Sequence, residues 1–83
     1  MISAYLFVNL DTSYNGEDIL SSVRSIPQVV EAHRLYGTYD MLIYMETETT
    51  AELKAVTLES VRKLKFVEDT VTYIALDHFK KEA

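Results

Sequence analysis

The sequence has no cysteine, no tryptophan, one proline and only two glycines among its 83 residues. Each shortage removes a class of protein. Without cysteine there is no disulfide to staple a small core and no thiolate site for zinc. The same absence fits a reducing compartment. With Gly16 and Gly37 as the only glycines, no glycine-rich phosphate loop can be built. No apolar run approaches the roughly 18 residues of a membrane span. The N-terminal segment Met1-Ile2-Ser3-Ala4-Tyr5 lacks the basic and apolar regions of a secretory signal. A cytoplasmic protein without a membrane partner is therefore expected. Basic residues are scarce as well: 8 Lys and Arg stand against 13 Asp and Glu, for a net charge of −5. Affinity for nucleic acid comes mainly from Lys and Arg neutralising phosphates. Direct nucleic-acid binding by these residues is not expected.

Catalytic signatures are missing too. There is no Ser/His/Asp arrangement and no HExxH. His33 and His78 are too few and too far apart for a metal motif. Neither a metal, nor a cofactor, nor an enzymatic activity is expected.

What remains is a globular composition, 48% hydrophobic and 25% charged. Residues 1–83 are expected to form a single domain. A domain this small buries only about 60–65% of its unfolded surface, and oligomerisation is a common remedy.

Residues 2–10 are almost wholly apolar and predict a strand buried on both faces. Asp11 to Gly16 reads as a loop with an Asn15-Gly16 turn. Glu17 and Asp18 open a helix whose apolar face is Ile19, Leu20, Val23 and Ile26, and Pro27 stops it. Residues 28–36 and 39–46 read as a strand pair with a tight turn at Gly37. Thr49 and Glu52 have capping-box spacing for a helix running to about Lys63. Its apolar face is Leu53, Val56, Val61 and Leu64, with Thr57 and Ser60 alongside. Residues 66–79 predict a long last strand. Strand, helix, strand, strand, helix, strand is the α+β ferredoxin-like βαββαβ order. It implies a four-stranded antiparallel sheet with two helices on one face.

The uncovered face should then be polar, and it is not. Tyr5 and Phe7 in the first strand, Leu42 and Tyr44 in the third and Val71 and Tyr73 in the last alternate with equally apolar partners. A second apolar face with no helix to cover it marks an interface. Two such sheets pressed together make an isologous dimer, a dimeric α/β barrel.

At the hairpin the sequence becomes specific. Val29-Val30-Glu31-Ala32 followed by Gly37, Tyr39 and Asp40 resembles the V-x-E…G-x-Y-D hairpin of the RAM domain. That is the effector domain of the Lrp/AsnC feast/famine transcription regulators. Val67-Glu68-Asp69-Thr70-Val71-Thr72 is similar to the V-x-x-T-x-T opening of that family's last strand. With the element order, the resemblance spans nearly the whole chain. It implies homodimers joined into octamers or decamers, with an amino-acid effector in clefts between dimers. The family's regulators also carry a helix-turn-helix DNA-binding domain. No such domain is expected within residues 1–83, so the resemblance points to a stand-alone RAM protein that partners a full-length Lrp/AsnC regulator.

The ligand-binding candidates are Gly37, Thr38, Tyr39, Asp40, Thr70 and Thr72. An amino acid offers an ammonium, a carboxylate and a side chain. Asp40 can accept from the ammonium. The amides around Gly37, Thr38 and Tyr39 can hold the carboxylate, and Thr70 and Thr72 add hydroxyls. Each residue also has a purely structural explanation. Gly37 suits a turn needing φ > 0, Asp40 can bond the hairpin backbone, Tyr39 can pack an interface, and Thr favours strands. Two other functions share the same fold. One is a cofactor-free monooxygenase-like enzyme using His78 or Arg34 at a polar cavity. The other is an assembly module with no ligand.

Overall fold

The computed structural model describes residues 1–81. Its elements are β1 (Ile2–Leu10), α1 (Gly16–Arg24), β2 (Val29–Arg34), β3 (Met41–Thr47), α2 (Thr50–Val56) and β4 (Val67–Ile74). A π-helical turn, Thr57–Val61, continues α2. The sheet order is β2-β3-β1-β4, with every neighbouring pair antiparallel. The βαββαβ order and the ferredoxin-like fold are as the sequence predicts.

The register sorts side chains into rows across the sheet. On the helix side Ala32, Ile43, Leu6 and Thr72 make one row, and Arg34, Met41, Val8 and Thr70 the next. The middle of these rows is sealed: Leu6, Val8, Met41, Ile43 and Met45 have no exposed surface. Ile19 and Val23 close over them from α1, and Leu53, Val56 and Val61 from α2 and the π-turn. Burying each such side chain contributes roughly 1.5–3 kcal/mol.

Local signals set the element ends. Asn15 caps α1, its side chain accepting the Glu17 N–H at 2.7 Å. The Asn15-Gly16 pair is thus a helix start and not a turn. Leu20, assigned to the apolar face of α1 from its spacing, is 38% exposed, and Ile19, Val23 and Ile26 bear the packing. The capping box of α2 is present. Thr49 Oγ1 accepts the Glu52 N–H at 3.1 Å, and Glu52 Oε1 accepts the Glu48 N–H at 2.8 Å. Glu52 Oε2 also takes the Gln28 side chain at 3.2 Å, tying the helix start to the entry of β2.

The π-turn has a packing reason. In a regular α-helix Ser60 would follow Val56 onto the buried face. The wider turn, closed by the Arg62 N–H on the Thr57 carbonyl at 2.9 Å, delivers Val61 there instead. Two predicted boundaries move. The link between β2 and β3 is the six-residue segment 35–40, closed by the Leu35 N–H on the Asp40 carbonyl at 2.9 Å, and not a tight turn. The last strand ends at Ile74, with the Ala75 N–H still donating to the Ser3 carbonyl at 2.9 Å, and beyond it Leu76 and Phe79 are exposed.

Candidate functional site

The other face of the sheet is the aromatic one expected from the alternation. Glu31, Tyr44, Tyr5 and Tyr73 form one row across it, and His33, Leu42, Phe7 and Val71 the next. Tyr5 and Tyr44 rings lie 4.9 Å apart, and Phe7 contacts Tyr39 at 5.4 Å and Tyr73 edge-on at 5.9 Å. Among the described residues no helix crosses this face, and Tyr73 is 58% exposed. The Tyr44 hydroxyl lies 2.8 Å from Glu46 Oε2, to which it donates, and 3.1 Å from Ser3 Oγ. The Ser3 contact favours ionisation of the phenol. The Glu46 carboxylate and partial loss of water outweigh it, so the phenol titrates above its ordinary value. Glu46 is half-buried in this cluster.

The hairpin candidates sit at one end of the sheet. Gly37 and Thr38 are exposed at the tip. No described residue, Gly37 included, has a positive φ, and a Cβ at Gly37 would meet nothing within 4 Å. The turn therefore does not demand glycine, and the structural explanation for Gly37 fails. Tyr39 is half-buried on Phe7. Asp40 is pinned: its N–H donates to the Val8 carbonyl at 2.9 Å, and its Oδ2 accepts the Leu10 N–H at 2.8 Å. It anchors the hairpin base to the end of β1, thirty residues away in sequence.

The threonines lie elsewhere. Thr70 and Thr72 share the helix-side face of the edge strand β4, opposite Val8 and Leu6. Tyr39 stacks on Phe7, on the opposite side of the sheet. Within one chain Tyr39 and the two threonines lie on opposite faces of the sheet, while Asp40 and Thr70 flank Val8 from its two sides.

Thr72 does line a groove. It runs between α2 with its π-turn and β4, has a volume of about 270 Å³, and is bounded by Thr50, Leu53, Lys54, Thr57, Leu58, Thr72 and Ile74. Thr57 is 9% exposed, and its Oγ1 has no hydrogen-bond partner among the described residues. Leaving a buried hydroxyl unsatisfied costs about 1–3 kcal/mol. Sequence reasoning set Thr57 beside an apolar helix face and went no further. A hydroxyl at a helical core position was the signal to follow.

The residues named for an enzyme, Arg34 and His78, lie on different parts of the fold. Arg34 is exposed on the helix side, its guanidinium against Gly16 at the start of α1, and His78 lies on the segment beyond β4. His33 is exposed on β2, 3.4 Å from Glu31. Among the described residues no group of three His, Asp or Glu is placed to hold a metal ion, and no helix is long and apolar enough to cross a membrane.

Comparison with known proteins places this geometry. The family model of the Lrp/AsnC ligand binding domain matches residues 3–83. An HTH-type transcriptional regulator of Pyrococcus abyssi is 25% identical over 72 residues, which cover 87% of this chain and 48% of that protein. The crystal structure of FFRP-DM1 superposes with a TM-score of 0.84 at 28% identity, over 92% of this chain and 100% of that one. A Neisseria meningitidis transcriptional regulator solved as an L-Met complex has the same fold, with a TM-score of 0.87 at 22% identity, over 96% of this chain and 53% of that one. The chain spans about half the length of the curated relatives it matches.

Proposed function

Because this chain belongs to the Lrp/AsnC ligand-binding domain family, we propose that it is an effector sensor binding an amino acid or similar small metabolite in clefts between dimers. The observation that carries this reading is the placement of the hairpin residue Tyr39 and the two threonines on opposite faces of the sheet. Gly37, Thr38, Tyr39 and Asp40 occupy the hairpin end, and Thr70 and Thr72 the helix side of an edge strand. The cleft is complete only when one subunit brings its hairpin to the β4 edge of another. The tip amides then take the ligand carboxylate. Asp40 Oδ1 takes the ammonium, Oδ2 being held by Leu10. The threonines add hydroxyls.

Assembly supplies that neighbour. The aromatic face pairs two chains as an isologous dimer, and dimers join into an octamer or decamer. The L-Met held by the Neisseria regulator is a ligand of the proposed class on the same fold. The regulators among the relatives read DNA through a helix-turn-helix. This acidic domain acts on transcription through co-assembly with such a regulator, and as a binding module, not a catalyst.

Native mass spectrometry of the purified protein, with and without a panel of free amino acids, tests this. The expected result is an assembly larger than a dimer that retains one amino acid or changes size with it. A plain dimer indifferent to every amino acid overturns the sensor reading. An Asp40→Ala variant with unchanged ligand affinity removes Asp40 from it.

A further inference from the structure

The groove between α2 and β4 has a chemistry of its own. Leu53, Leu58 and Ile74 give it an aliphatic wall. Leu58 and Ile74 stay 44% and 46% exposed, although they flank a packed helix and strand. Lys54 is the one charged side chain among the lining residues, and no carboxylate is among them. The Thr57 hydroxyl, nine-tenths buried at the π-turn, has no partner among the described residues. π-turns inside α-helices are frequent at functional sites. Here the widened turn carries the unpaired hydroxyl and the exposed Leu58 together.

We infer that this groove binds a small aliphatic carboxylate carrying no positive charge, such as a branched-chain 2-oxo acid. Lys54 pairs with the carboxylate, and Leu53, Leu58 and Ile74 cover the aliphatic chain. The Thr57 hydroxyl gains the hydrogen bond it lacks, by a small movement of the ligand-free wall. Thr50 and Thr72 stand at the polar margin. The volume of about 270 Å³ fits a metabolite and is too small for a peptide helix. The lining also discriminates. A free amino acid brings an ammonium, and no group in this lining neutralises it, so burying it here is costly. The uncharged 2-oxo analogue avoids that cost. This rests on the effector-sensing reading and adds a ligand class and a pocket complete within one chain.

The test is titration of the full chain with 3-methyl-2-oxobutanoate and, separately, with valine, followed by calorimetry and amide NMR shifts. The expected result is saturable 2-oxo acid binding that moves the Thr57, Thr72 and Ile74 amides. Thr57→Val should weaken it about tenfold, the effect of one lost hydrogen bond. The same variant should raise the melting temperature of the ligand-free protein by about 4 °C, because a methyl replaces an unsatisfied hydroxyl. Leu58→Glu, at an exposed position that leaves the core intact, should abolish binding. If the 2-oxo acid binds but both variants bind it like the parent, the groove is not the site. If valine binds and the 2-oxo acid does not, the groove proposal falls and the inter-dimer sensor stands. If neither binds, the groove proposal falls, and the full amino-acid panel decides the inter-dimer sensor separately.

Discussion

Along β1 the even-numbered residues Ala4, Leu6, Val8 and Leu10 are sealed beneath two helices, while Tyr5 and Phe7 between them face outward. Both sides of the strand are apolar, yet their chemistry differs. The covered side is aliphatic and dry. The uncovered side sets Tyr5, Tyr44 and Tyr73, which keep an apolar ring and a polar tip, beside Phe7, Leu42 and Val71. Tyr44, Glu46 and Ser3 form a hydrogen-bonded cluster there. A face of that composition tolerates water while alone and remains ready for a partner. Hydrophobicity by itself does not separate the covered face from the open one; the tyrosines on the open face do.

The largest effect should come from the aliphatic side. Leu6→Ala should cost about 3 kcal/mol of folding stability by chemical denaturation, because the site is fully enclosed. On the other face, Tyr5→Glu with Tyr73→Glu should leave the circular dichroism spectrum intact and dissociate the assembly in light scattering. A dimer that survives both changes breaks the comparison. Next in size, Thr49→Ala should cost about 1 kcal/mol by removing the cap of α2, with no change of oligomeric state. The smallest expected effect is the Tyr44 titration. Its folded phenol ionises above the ordinary value, so the neutral form is the favoured one. That contribution is complete below about pH 10 and is lost as pH rises through the folded value. Absorbance near the tyrosinate band should follow it, and Tyr44→Phe should remove the step.

The alternation in β1 and β3 made the fold and both faces legible, because a period of two permits only one sorting of side chains. The Thr49–Glu52 spacing fixed the start of α2 for a similar reason: the partners are local. The site was less legible. Gly37 suggested a tight turn, but the connection is held by long-range bonds from Asp40 to β1, which no local pattern announces. Thr70 and Thr72 were correctly placed on one face, but which face depends on the pairing with β1. The π-turn was invisible as well. It settles a competition between Ser60 and Val61 for one core position, and only the packed sheet decides that.

The sheet order has a consequence for biosynthesis. β1 lies in the interior of the sheet, and its Ala4 pairs with Ile74, almost the full described chain away. The first strand of this domain pairs with β3 on one edge, but its other edge stays open, apolar on both sides, until the last strand arrives. Closure of so distant a pair carries a large entropic cost before any contact repays it. Until β4 arrives, β1 presents an open apolar edge, the kind of segment that invites wrong pairing.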